Sequence, residues 1–122
     1  MANINRVTLL GTLGKDPEIR ALNNGKAAAS LNLATSINKK QGDEWVQDTQ
    51  WHRVVAYDKV AEAARQMQKG QVVFVDGRLN YRKYTNKDGV EQTVTEILAS
   101  ELHAISKTEA KKAAASDEEI PF

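Results

Sequence analysis

Asp58-Lys59-Val60-Ala61-Glu62-Ala63-Ala64-Arg65-Gln66-Met67-Gln68-Lys69-Gly70 is the one helical pattern in a chain that otherwise reads as strands. Val60, Ala63, Ala64 and Met67 fall at i, i+3, i+4 and i+7, one face of a helix. Asp58 is placed to N-cap it, accepting hydrogen bonds from amides that otherwise lack partners. Gly70 is placed to end it in a left-handed conformation. Upstream, residues 6–14 are β-branched and Leu-rich and end in the turn signal Gly14-Lys15-Asp16-Pro17, with 18–22 a short continuation. Asn23-Asn24-Gly25 is a tight-turn sequence. Next, Ala27, Ala29, Leu31, Leu33 and Thr35 alternate with Ala28, Ser30, Asn32 and Ala34. That period of two predicts a long strand with one apolar face, and its small residues permit close packing across a tightly curved sheet. Lys40-Gln41-Gly42-Asp43 reads as a polar hairpin loop, and residues 45–57 as a third strand. After the helix come residues 72–84, the turn Asn86-Lys87-Asp88-Gly89, and a last strand from 90 to about 105. Three strands, a helix and two strands predict an all-β fold with one helix, a closed five-stranded OB-fold barrel. A ferredoxin-like sandwich wants two helices, and this chain shows one.

At 122 residues, with 41% hydrophobic and 27% charged positions, the sequence describes one globular domain with a tail left over. No apolar run approaches membrane-spanning length. The start, Met1-Ala2-Asn3-Ile4-Asn5, has neither the basic residues nor the apolar stretch of a signal peptide. The absence of cysteine removes disulfides, thiolate chemistry and Cys-ligated zinc, and fits a reducing compartment. A cytoplasmic protein without membrane contact is therefore expected. The net charge of +1 becomes informative when divided: residues 1–106 hold 14 bases and 12 acids, and residues 107–122 hold three lysines and four acids. A mildly basic body and an acidic end point to partners of opposite sign.

The acidic end is Asp117, Glu118 and Glu119, followed by the apolar Ile120, Pro121 and Phe122. Pro121 donates no backbone hydrogen bond and holds φ near one value, so this tip is stiff and non-helical. Carboxylates leading into a terminal ring suit a basic-rimmed hydrophobic pocket on another protein. The plainer alternative is a frayed, solubilising end. The expected organisation is a barrel domain over 1–106, a short linker over 107–116, and a partner-binding tip over 117–122, the tail being disordered.

Chemistry concentrates in Trp51-His52-Arg53-Val54-Val55-Ala56-Tyr57. Alternation places Trp51, Arg53 and Tyr57 in a row with Val55, while His52, Val54 and Ala56 point the other way. In the fourth strand Arg78, Asn80, Arg82 and Tyr84 share a parity. Rings alternating with cations suit unpaired nucleic acid, since bases stack on rings and guanidinium neutralises phosphate. The competing account makes Trp51 and Tyr57 core residues and Arg53 a solvated bystander, although large exposed rings need a reason. No metal or cofactor is expected: the acids are scattered, and neither a Gly-rich phosphate loop nor a nucleophile motif is present. An enzyme such as a nuclease and a protein-binding adaptor on the same barrel are the rival classes.

The chain resembles the bacterial single-stranded DNA-binding protein family over nearly its whole length. The matching stretches are Arg6-Val7-Thr8-Leu9-Leu10-Gly11, Gly14-Lys15-Asp16-Pro17-Glu18, Asn24-Gly25, Leu33-Ala34-Thr35-Ser36, Thr49-Gln50-Trp51-His52-Arg53-Val54-Val55, Leu79-Asn80-Tyr81-Arg82-Lys83-Tyr84 and the final Asp117-Glu118-Glu119-Ile120-Pro121-Phe122. Their order and spacing together are specific. The resemblance implies an OB-fold assembling as a homotetramer and wrapping single strands without sequence preference. It also implies a tip that recruits replication, repair and recombination proteins. Carried over by position, it makes Trp51, Tyr57 and Tyr84 stacking residues, and Arg53, Arg82 and Lys83 backbone contacts. His52 matches a histidine of the subunit interface. The family often has another stacking Trp near Asn38-Lys39, where this chain has no ring; Lys39 is a candidate contact there. Trp45, across the hairpin and sharing the parity of Trp51, is either the substitute platform or a hairpin staple.

Overall fold

Six strands and one short helix follow each other in the computed structural model, which describes residues 1–105. They are β1 (Val7–Leu13), β2 (Glu18–Ala21), β3 (Ala27–Gln41), β4 (Glu44–Tyr57), α1 (Lys59–Ala64), β5 (Val72–Thr85) and β6 (Glu91–Ile105). The tip residues 117–122 and the linker lie outside the described residues. The sheet runs β1-β5-β6-β4-β3-β2, and an additional β1–β3 pairing closes it into a barrel of five strands. β2 continues the path of β1 along β3, with residues 14–17 bulging out between them. This is the OB-fold arrangement read from the order of elements.

Alternation builds the core. Ala29, Leu31 and Leu33 of β3 face Ala56, Val54 and His52 of β4, and all but His52 are at most 1% exposed. Leu13, Val73, Val75, Ile97 and Leu102 complete the wall. Ile97 and Leu102 are five apart and would point to opposite faces of a regular strand. A register shift at Asp76/Gly77 inserts Ser100 as an extra residue and returns both side chains to the core. The Ser100 hydroxyl donates to the Asp76 carbonyl at 2.9 Å, anchoring the bulge. Gly77 is required there, because a Cβ would collide with the Leu98 carbonyl oxygen. On the outer surface Asp76 accepts two hydrogen bonds from Arg6 and one from Thr8. These donors, Arg6 first, hold its carboxyl below the usual aspartate range.

The β3–β4 hairpin is longer than the sequence suggests. β3 and β4 stay paired to Gln41 and Glu44, leaving the two-residue turn Gly42-Asp43. In the second hairpin, Asn86 Oδ1 accepts from the amides of Asp88 and Val90, each at 3.0 Å.

The helix departs from expectation. It spans only Lys59–Ala64, and its buried face is Ala61, Ala64 and then Met67, with Ala63 exposed. After Ala64 the chain continues in looser turns, so Gly70 does not end the helix directly. Gly70 does adopt a positive φ of 90°, and its amide donates to Leu13 O at 2.9 Å. Nor does the Asp58 side chain cap the helix: its backbone turns at φ 57° and ψ −123°, and no side-chain cap bond forms. The sharp exit from β4 sends the carboxylate to Lys26 instead, 3.7 Å away.

A non-glycine residue in that conformation carries strain of about 1–3 kcal/mol, and the exposed Lys26 pair returns little of it. Asp58→Gly should therefore raise the unfolding free energy by about 1 kcal/mol, after allowing for glycine's greater freedom in the unfolded chain. Urea denaturation measures it, and an unchanged or lower midpoint would show that the Lys26 pair outweighs the strain.

Candidate nucleic-acid interface

β4 turns Val54 and Ala56 to the core and Trp51, Arg53 and Tyr57 to the other face, where Val55 between them is itself buried. Val54 and Ala56 are fully buried, whereas Trp51 is 62% and Tyr57 45% exposed on the opposite face. The rings therefore point outward, against the account that seals them in the core. From Trp51 to Tyr57 the row runs about 20 Å at the usual rise of a strand. Trp51 lies against Gly14, where a Cβ would run into the indole ring. The edge of the six-membered ring meets the bend between β1 and β2, and the rest of the indole stands open. Trp45, 69% exposed, shares this side of β4, and Lys40 is directly across from it.

Beside the row lies a groove of about 460 Å³ whose lining includes Lys15, Glu18, Arg20, Arg53, Tyr57, Arg82 and Glu96. The strand register explains its membership. Arg20 pairs with Ala28, and Ala28 with Tyr57, so the base reaches the end of the ring row across two small steps. Arg82 comes from β5, its guanidinium 6.0 Å from the centre of the Tyr84 ring, two residues along on the same face. Four bases and two acids line the groove, which leaves ten of each sign elsewhere in residues 1–106. The positive excess of the body is thus equalled by the groove alone.

At its floor Glu96 is the one polar residue among the buried side chains described. Its Oε2 is 3.5 Å from Arg53 Nε, and its Oε1 is 3.4 Å from Arg82 Nε. Asn80 Nδ2 donates to Oε1 at 3.4 Å. The two arginines are tied to a carboxylate but remain about half exposed. The sequence reading did not find Glu96, Lys15 or Arg20. Glu96 is next to the parallel pairing of β4 with β6, a contact between distant segments that no local pattern shows.

The structure brings Trp51, Arg53, Tyr57, Arg82 and Tyr84 together, with Trp45 farther along the same side of the hairpin. It does not bring Lys39 or Lys83 to them. Lys39 has the other parity in β3 and pairs with Asp48 at 3.0 Å. Lys83 has the other parity in β5 and stands 3.4 Å from Glu91. His52 is half-buried on the inner side, its Nε2 2.8 Å from Thr35 Oγ1. Among the described residues no group of three or more His, Cys, Asp or Glu is arranged to share a metal ion.

With this geometry in view, a family model described as "Single-strand binding protein family" matches residues 4–105. Proteins named single-stranded DNA-binding protein from Neisseria meningitidis serogroups A and B are each 43% identical over 103 residues, 82% of this chain. The chain spans 59% of the length of these curated relatives. Among solved structures, the Plasmodium falciparum SSB in complex with ssDNA aligns with a TM-score of 0.78 at 30% identity, covering 87% of this chain and 98% of that one. A deletion mutant of the single-stranded DNA binding protein from Thermus aquaticus aligns at 0.74 and 31% identity, covering 85% and 51% respectively.

The seat beneath Trp51 is testable without any ligand. In a Trp45→Phe background Trp51 is the only indole. Adding Gly14→Ala should lift the ring off the backbone and increase its quenching by acrylamide, with little change in thermal midpoint. Unchanged quenching would mean that Gly14 does not set the ring's position.

Proposed function

The chain belongs to the single-strand binding protein family, and from that premise we propose that it binds single-stranded DNA without sequence preference. The observation that carries this reading is the outward row of Trp51, Arg53 and Tyr57 beside Arg82 and Tyr84. Bases stack on exposed rings, at about 1–3 kcal/mol each, while guanidinium groups take the phosphates. Paired bases offer no free faces, so duplex is discriminated against. The process is passive capture and protection and involves no catalytic step. A strand crossing the row also passes the groove that holds Lys15 and Arg20, which join Arg53 and Arg82 as phosphate contacts.

We extend the proposal in three directions. The protein acts in DNA replication, recombination and repair, in the cytoplasm with the nucleoid. Its segment 117–122, joined through the linker 107–116, recruits partner proteins by its carboxylates and its Ile120-Pro121-Phe122 end. Four copies assemble, with His52 near a subunit interface, and linking four surfaces raises apparent affinity by about 10²–10⁴-fold over one site. Support for the last two comes from the family membership and from the residues themselves. Lys39 and Lys83 fit as outer contacts only once a strand or a rotamer change releases them from Asp48 and Glu91.

Titrating the intrinsic fluorescence with oligo-dT at moderate salt tests the central claim: the Trp signal should be quenched to saturation, and its constancy would refute DNA binding. Trp45→Ala should weaken this binding by about 1–3 kcal/mol while moving stability by no more than about 0.5 kcal/mol, as for an exposed surface position. Reduced thermal stability with unchanged affinity would leave only a staple role for Trp45. Removal of residues 117–122 should strengthen DNA binding at low salt and abolish capture of partner proteins, and a shortened chain that still captured them would count against the tip.

A further inference from the structure

Glu96 is not explained by stacking or by phosphate contact, since it is a carboxylate at the floor of a groove that should attract phosphates. Its side chain is 2% exposed, and Oε2 has no hydrogen-bond partner of good geometry. Burying such a group costs several kcal/mol unless it is well compensated. Its position follows from register. Glu96 precedes Ile97, which pairs with Val54 in the parallel seam, so Arg53 is its neighbour on β4. On its other side Asn80 is its direct partner on β5, and Arg82 is the diagonal one. The two arginines thus come from different hairpins and meet over one carboxylate.

The contact geometry is selective. For both arginines the nearest nitrogen is Nε. Among the described residues, no side-chain hydrogen bond engages the terminal nitrogens of either. A guanidinium drawn to a carboxylate by charge on its Nε side keeps its terminal donors to offer. We propose that Glu96 is a positioning residue that holds Arg53 and Arg82 as one pre-set phosphate clamp and reduces their joint charge from two to one. This rests on the single-strand binding reading above. Without the carboxylate, two like charges repel and the side chains disperse. With it, the clamp gives up some long-range attraction and gains a fixed geometry.

Glu96→Gln separates these two effects because salt screens attraction and leaves geometry untouched. Oligo-dT affinity is measured by Trp fluorescence across a salt series for the full chain, for Glu96→Gln, and for Glu62→Gln. The last removes the same charge from helix α1, outside the groove. The expected result is a crossing: Glu96→Gln binds tighter than the parent at low salt and weaker at high salt, its slope in log K against log salt steeper by about 0.7 per site. Glu62→Gln should run parallel to the parent. A Glu96→Gln line parallel to both overturns the proposal, whereas a parent chain that leaves oligo-dT unbound overturns the functional reading itself. If Glu96→Gln fails to fold, the double variant Arg53→Lys, Arg82→Lys keeps the charge and loses the Nε anchor. It should bind about tenfold more weakly at every salt concentration with an unchanged slope, and parental affinity overturns the clamp.

Discussion

Two residue pairs, Val54 with Ile97 and Val55 with Leu98, join β4 to β6, and the site depends on how short that parallel seam is. The seam closes one side of the barrel as the β1–β3 pairs, Thr12 with Ala34 and Leu13 with Leu33, close another. Val54 and Ile97 are buried within it, so apolar burial holds the two hairpins at a fixed point. On the hairpin side of that point β4 and β6 have no further ladder between them, and β3–β4 and β5–β6 continue as separate arms. A longer seam would have covered the ground where Arg53, Arg82 and Glu96 meet. A missing one would have left the two arginines on independent arms. The fold's closure and the groove's geometry are therefore one constraint.

How much of this was legible depends on the distance over which each feature is decided. The parity of Trp51, Arg53 and Tyr57 is local, and the structure shows it as read. The same is true of Gly25, Gly42 and Gly89, each with positive φ in its turn. The Lys39 placement came from a family position rather than from pairing. Closing the hairpin at Gly42-Asp43 puts Lys40, not Lys39, opposite Trp45. Lys83 has the same history, since parity alone separates it from Arg82 and Tyr84. The helix misreading is of another kind. Ala63 and Ala61 are chemically identical, so the periodicity could be drawn on either, and packing chose Ala61. Asp58 had the right chemistry for a cap, but the geometry of the strand exit decided against it. The Ser100 bulge and the burial of Glu96 come from contacts between distant segments, beyond the reach of any sequence window.

Stability alone does not account for Glu96. Replacing a buried ion pair or triad by well-packed apolar side chains is often neutral or stabilising. Small and apolar side chains, Ala28 and Val55, share the groove lining with it, yet a carboxylate is present, and its ion-pair partners are the two arginines that display charge to the groove. The geometry directs its energetic cost toward their orientation. The outer rings divide from the core in the same way. Trp45, Trp51, Tyr57 and Tyr84 are largely solvated, so the barrel loses little by exchanging them. Leu31, Leu33 and Val54 touch no solvent, and truncating them opens cavities costing about 2–5 kcal/mol for a Leu.

A nearly neutral chain can still hold a polyanion when its excess charge is local. Attraction between exposed charges fades beyond about 8–10 Å at ordinary ionic strength. What a passing phosphate senses is therefore the groove, and not the total. Outside the groove the ten bases and ten acids of residues 1–106 balance, and several are paired directly, as Arg6 with Asp76, Lys26 with Asp58 and Arg65 with Glu62. That balance keeps the rest of the surface from competing for the strand. On the proposed reading it also gives the exposed rings a decisive share, because a net groove charge of two cannot by itself supply tight binding in salt. In the proposed complex the rings would provide contacts that ions do not screen, and the groove would set where the backbone must run for the bases to reach them.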